Sequence, residues 1–267
     1  MNILNHKKNF LIYLDIFALT LWSLLLFKYW ITGQLHLLIH PNYFLLVLVT
    51  SILLFILSIV LTISVIRKPK KRSNFQQNND NQHTNLLPKG WASSLLIVVA
   101  LSGLLIQPTV LSSQTAIQRG ISDGLPPTTI ETQSFLNQTS PEDRSLIEWV
   151  RTLNAYPEPD NYTGQKANIN GFVVHLDHLP DNYIYLSRFV LTCCAVDAYP
   201  VGIPIELSTS RQQYPPDTWL EIKGVMKTNI LPTIDSSSQG GIREKRQLVL
   251  HSEEINKIPT PPNPYSY

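Results

Sequence analysis

The most reactive side chains in this sequence are its only two cysteines, Cys193 and Cys194, side by side in RFVLTCCAVDAYPVG, Arg188 to Gly202. Adjacent thiols can ligate one soft metal ion or metalloid, close a strained vicinal disulfide, or bond to another chain. A fourth reading is structural, with one cysteine buried as a small hydrophobe beside an incidental neighbour. Asp197 follows closely as a further ligand, and His175, His178 and His251 would join it if the fold brought them near. Arg188 and Asp197 are candidates for a polar brace under the cysteine turn. The stretch reads as a β-strand, in which neighbouring side chains point to opposite faces. Both sulfurs therefore meet one ion only where the backbone leaves regular β geometry.

Which of these chemistries applies depends on the compartment, and the elements that set it lie upstream. Residues 1–111 hold nine Lys/Arg against Asp15 and Asp80, whereas residues 112–267 hold twelve against seventeen acidic residues. The apolar excess is concentrated in the first region. Three segments there, 10–31, 43–66 and 91–111, read as membrane spans, the third weakening at Gln107 and Pro108. The first is longer than the apolar run of a usual signal sequence and no small-x-small site follows it, so it is expected to be retained. Asp15 lies near a span end and reads as an interfacial residue. The cluster Arg67, Lys68, Lys70, Lys71 and Arg72 follows the second span, while the connection 32–42 has no Lys or Arg. The positive-inside rule makes loop 67–90 cytoplasmic, and its Asn/Gln-rich composition predicts a disordered connector. Three crossings then place the N-terminus in the cytoplasm and everything beyond about residue 111 outside the cell membrane, in a usually oxidising space.

Residues 112–139, rich in Ser, Thr, Gln, Gly and Pro, read as a linker. A helix is expected from SPEDRSLIEWVRTL, with Ser140 as N-cap, Pro141 in the first turn, and an apolar face of Leu146, Trp149, Val150 and Leu153. Five strand signals follow, in QKANINGFVVHL, YIYLSRFVLTCC, GIPIEL, TWLEIKGVMK and QLVLHSEEI, each bounded by turn residues. Gly171 and Gly224 suit the bends that close a small barrel. The predicted architecture is therefore a membrane α-helical part of three spans plus a small all-β domain over 140–267, an OB-like five-stranded barrel with one short helix. The tail IPTPPNPYSY is expected to run extended along its surface.

The sequence has no Gly-rich phosphate loop, serine-nucleophile motif, HExxH or CxxC, and no paired acid and base at recognisable spacing, so no enzyme is predicted. Its basic residues flank apolar spans rather than forming an Arg-rich stripe with aromatics, which argues against nucleic acid. The segments GFVVHLDHLPDNYIYLSRFVLTCCAVDAYPVGIPI, DTWLEIKGVM and IPTPPNPYSY resemble the YcgQ-like family of two-component permease subunits, whose recurring core is RF-x-x-TCCAADA-x-PVG. The match runs through Arg188, Phe189, Thr192, Cys193, Cys194, Ala195, Asp197, Ala198, Pro200, Val201 and Gly202, with Val196 where the family has a second alanine. The layout of the membrane half is similar too. The resemblance implies an accessory subunit beside a larger multi-spanning permease, itself similar to permeases related to organoarsenical exporters. The expected role is an anchor in the plasma membrane that carries an outer domain binding or gating substrate at the Cys-Cys site. A stand-alone thiol-redox or soft-metal sensor is the alternative.

Overall fold

The computed structural model describes residues 2–67, 90–121, 140–234 and 242–267. The chain divides into two compact units, Met1–Thr109 and Val110–Tyr267. Nearly all of the expected cytoplasmic connector, and the linker beyond Ile121, fall outside the described residues.

The first unit contains helices α1 (Asn2–Ile31), α2 (Phe44–Arg67) and α3 (Trp91–Leu105). Two apolar stretches, Phe10–Ile31 and Pro41–Arg67, are long enough to cross a membrane. The third expected span is shorter than read, because α3 stops at Leu105 and Ile106 is already extended. Pro108 supplies the reason, since a proline disfavours helical geometry in the residue before it and lacks a helix donor of its own. At about 1.5 Å per residue such a helix reaches roughly 22 Å, less than the roughly 30 Å hydrocarbon layer. Both α2 and α3 pack on α1. Leu21, Leu25 and Ala100 form a small apolar cluster between the helices, and polar contacts run beside it. The Thr20 and Ser58 hydroxyls lie 2.6 Å apart, while Ser23 and Ser51 each donate to the other's carbonyl, at 2.9 and 3.0 Å. Toward α3, Trp22 donates to Leu96 O, Lys28 to Leu104 O and Tyr29 to Gly103 O. Asp15 accepts from Ser93. Large apolar side chains such as Leu45, Leu53 and Val98 point outward. Buried serines at the helix contacts together with large apolar side chains outside are the pattern expected of helices that pack in lipid.

The second unit opens with α4 (Ser113–Arg119) and α5 (Leu146–Ala155) and continues through β1 (Lys166–Val174), β2 (Tyr183–Val190), β3 (Tyr199–Glu206), β4 (Trp219–Ile234), β5 (Ile242–Lys257) and β6 (Tyr265–Ser266). The predicted helix starts later than the sequence suggests. A short 3-10 turn occupies Pro141–Asp143, and the cap is Ser145, which with Glu148 completes a reciprocal capping box. The competing Ser-x-x-Glu pattern at 145–148 satisfies two otherwise orphaned backbone donors, which Ser140 and Pro141 cannot. Leu146, Trp149 and Val150 are buried as expected, with Leu153 packed beside them.

The six strands form one mixed sheet in the order β1-β4-β5-β3-β2-β6, and an added β1–β2 pairing closes five of them into a ring. All ring pairings are antiparallel except β3–β5, a parallel pair of two registers, Ile205↔Leu250 and Glu206↔His251. The apolar faces of the ring and of α5 share one core that includes Ile169, Ile184, Ile203, Leu220, Ile222, Met226 and Leu250. Both glycines expected at bends stand where backbones crowd. A Cβ on Gly171 would lie 2.6 Å from Ser187 O, and one on Gly224 would lie 2.0 Å from His251 O. Gly224 also sits at the register shift between β4 and β5. Gly224→Ala is therefore expected to destabilise the ring by about 1–3 kcal/mol through overpacking against main chain that cannot yield. Denaturant unfolding followed by tryptophan fluorescence would show it as a lowered midpoint.

Candidate functional site

The cysteines are not in a strand. β2 ends at Val190, β3 begins at Tyr199, and both thiols stand on the loop between them. The loop is pinned where it leaves the sheet, with Leu191 and Ala198 buried and Leu191 N donating to Ser266 O at 2.9 Å. Between those pins the chain wraps around one carboxylate. Asp197 Oδ2 accepts from the Thr192 hydroxyl at 2.6 Å and from Cys193 N at 2.8 Å, while Oδ1 accepts from Cys194 N at 3.1 Å. Asp197 N returns a bond to Cys194 O, also at 3.1 Å. This turn is the departure from β geometry that a joint role for adjacent cysteines requires.

The two sulfurs lie 3.6 Å apart and both cysteines are free. A disulfide needs about 2.05 Å, so the pair is in contact without being bonded. Cys193 is exposed and Cys194 half-buried. Among the described residues, Cys193, Cys194 and Asp197 form a group whose ligand atoms all lie within 4.8 Å of one another. Two soft sulfurs and one hard oxygen at that spacing make three corners of a coordination shell open to solvent on the fourth side.

Electrostatics set the resting state of the loop. Partial burial pushes the Asp197 carboxyl up, but hydrogen bonds from Cys193, Thr192 and the Cys194 and Cys193 amides outweigh it and hold the group at about 2. The same carboxylate, by hydrogen bonding to the Cys193 thiol, pushes that thiol up to about 12, with Cys194 adding to the shift. At neutral pH Asp197 is ionised and Cys193 keeps its proton, which makes it a poor nucleophile and a slow target for oxidation.

The other residues predicted for the site go elsewhere. Arg188 lies under the C-terminal tail, its guanidinium 5.5 Å from the Trp219 ring centre and donating to Asn263 O at 3.4 Å. Burial lowers its pKa. It braces the tail rather than the thiols. His175 Nε2 lies 2.9 Å from Tyr214 O, and with His178 and Tyr185 it lines a separate cavity of about 600 Å³. His251 Nδ1 lies 2.7 Å from Glu206 Oε2, across the parallel pair of the ring. Neither His175, His178 nor His251 is in the ligand group of the cysteine loop. The tail is extended as expected but also enters the sheet: β6 pairs with Phe189 and Val190, and Tyr265 is buried edge-on to Phe189. Val196 is 85% exposed, so a side chain larger than alanine is accommodated there.

Two residues of the site were not read from the sequence. Thr192 supplies a hydroxyl to Asp197, and the Thr-x-x-x-x-Asp spacing was its available signal. Arg119 donates through Nη1 to Ala195 O at 3.1 Å and to Ala198 O. It lies in a segment read as linker, where a single arginine carries no pattern.

Two family models match the chain. The DUF1980 N-terminal domain covers residues 14–122, and the DUF1980 C-terminal domain covers residues 137–267. No curated protein matches it.

The two shifted groups give opposite pH effects. Asp197 is depressed from 3.8 to about 2, so its contribution to loop order is present above the unfolded value and is lost as pH falls through the folded one. Cys193 is raised from 9.0 to about 12, so its contribution is complete below the unfolded value and is lost as pH rises through the folded one. In Asp197→Asn the thiol loses its main perturbing partner. Iodoacetamide at pH 9 should then alkylate Cys193 on the order of tenfold faster than in the unsubstituted protein, as read by mass spectrometry of the 192–198 segment.

Proposed function

Since the chain belongs to the DUF1980 family and carries its N- and C-terminal domains in order, we propose that it is a membrane-anchored accessory subunit of a multi-spanning permease, whose outer domain captures a soft metal ion or metalloid at Cys193 and Cys194. One observation carries the ligand half of this reading: two free thiols in contact, with an ionised carboxylate completing a group within 4.8 Å. On binding, each thiol proton leaves as a sulfur–metal bond forms, and Asp197 offers an oxygen to the same ion. A soft cation displaces even a tightly held thiol proton, whereas harder cations do not, so the raised Cys193 pKa favours selectivity for thiophilic species.

The anchoring half rests on α1 and α2, both long and apolar enough to span; a third crossing would need α3 together with the extended residues that follow it. The basic cluster that follows α2 in the sequence supports, by the positive-inside rule, an extracytoplasmic thiol loop. The closed strand order, with its single parallel β3–β5 pair, supports an OB-like barrel as the scaffold. The YcgQ-like resemblance supplies the partner class. It is supported by the fold, in which the hydroxyls of Thr20, Ser23, Ser51 and Ser58 bond between helices rather than facing a pathway. No catalytic step is assigned to the protein. A stand-alone thiol-redox sensor is the second reading, favoured by the 3.6 Å sulfur contact.

The test uses the full chain, solubilised from its native membrane. Cd²⁺ titration should give a thiolate charge-transfer band saturating at one ion per chain. Cys193→Ser and Cys194→Ser should abolish it, and Asp197→Asn should weaken binding about tenfold or more. Absence of the band in reduced protein would overturn the ligand site. A native disulfide that blocks alkylation until reduction would shift the assignment to the redox sensor. A multi-spanning protein should accompany the purified chain, and its absence would remove the permease role.

A further inference from the structure

The cysteine loop is held from two sides. Asp197 ties it from within, and Arg119 ties it from outside through the Ala195 and Ala198 carbonyls, which straddle the residues carrying that carboxylate. Arg119 is the last residue of α4, and Gly120 ends the helix with a positive φ of 74°. The helix itself is fixed to the ring. Ser112 caps it by accepting from Thr115 N, Ser113 N donates to Asp217 Oδ1, and Ala116 is fully buried. Asp217 adopts a left-handed φ of 68° and donates its own N–H to Val173 O at 3.0 Å, so the residue receiving α4 is itself locked against β1. Just ahead of the helix, Leu111 N donates to the hydroxyl of buried Tyr265. Arg119 therefore reaches the loop from a support held at both ends.

The family boundaries sharpen the point. Arg119 lies inside the match to the N-terminal domain, which ends at residue 122, while every group it grips lies in the match to the C-terminal domain. We infer that Arg119 is a positioning residue for the paired thiols, and that it makes α4 a reporter of their occupancy. The inference rests on reading the thiols as a ligand site. A guanidinium nitrogen that satisfies two carbonyls fixes the turn in one shape. A ligand that draws the sulfurs together favours that same shape, so by linkage the filled loop grips α4 more tightly than the empty one. In chain order α4 is the first element after the apolar helix α3, which makes it the segment through which a filled site would be felt on the membrane side of the sequence.

The experiment uses the full chain in detergent and two readouts. Phenylarsine oxide serves as the dithiol probe: its arsenic exchanges one oxygen for two sulfurs and releases water, with no change of oxidation state. Hydrogen exchange at the Cys193, Cys194 and Asp197 amides reports loop order without any ligand. In Arg119→Ala, probe affinity should fall and loop exchange should quicken, each on the order of tenfold. Arg119→Lys should recover little, and added methylguanidinium should restore both. Probe bound to the unsubstituted protein should slow exchange across Thr115–Arg119. Unchanged affinity and exchange in both variants would overturn the inference. So would a general rise in exchange with a lowered melting temperature that methylguanidinium does not reverse, since Arg119 would then be only a stabilising contact. If the unsubstituted protein binds neither the probe nor Cd²⁺ while loop exchange still responds to Arg119 and methylguanidinium, the ligand reading fails and the positioning role stands.

Discussion

A single carboxylate, that of Asp197, decides the conformation on which the chemistry of this protein depends. Two backbone amides and a hydroxyl converge on it. Without that convergence, adjacent cysteines in an extended chain would point to opposite faces, and their sulfurs would not share a ligand. The same carboxylate keeps the neighbouring thiol protonated. One interaction therefore both assembles the site and keeps it quiescent, which suits paired thiols displayed in an oxidising space, as proposed.

The rest of the ring domain can be understood as support for that turn. The antiparallel β2–β3 ladder brings the two ends of the loop side by side over eight registers, from Tyr183↔Glu206 to Val190↔Tyr199. The tail adds a short parallel strand beside β2, and the buried Phe172, Phe189 and Tyr265 rings fill the space beneath it. Arg188 roofs that cluster by lying over Trp219. Its physical role thus lies in the scaffold. The long β4–β5 hairpin, bent at Gly224, carries the far side of the ring.

Much of this was legible in the residues, and the failures follow a pattern. Alternating apolar positions such as Leu220 and Ile222 announced the strands, and the glycines announced the bends, because both signals are local. The helix starts later than its first serine suggests because two serine-led caps compete within six positions, and the capping box at Ser145 and Glu148 is the stronger. The cysteines read as strand because TCC is surrounded by β-forming residues, while the turn is made by hydrogen bonds to a side chain further along. Periodicity cannot register such bonds. Of the histidines considered as further ligands, His175 and His251 are instead engaged with Tyr214 and Glu206. The grip of Arg119 spans more than seventy positions of sequence and leaves no trace in it.

The two-register parallel contact between β3 and β5 bears on how the ring comes into being. Every other ring neighbour is joined by a longer ladder, and the β4–β5 hairpin closes through near-sequence pairs. The β3–β5 contact joins positions about 45 residues apart with little hydrogen bonding to reward the loop it must close. Glu206 rivets it, meeting the His251 imidazole through its side chain and accepting from the Ser252 hydroxyl through its carbonyl. The ring is thus a clasp whose shortest seam lies at the opposite end of β3 from the thiol loop.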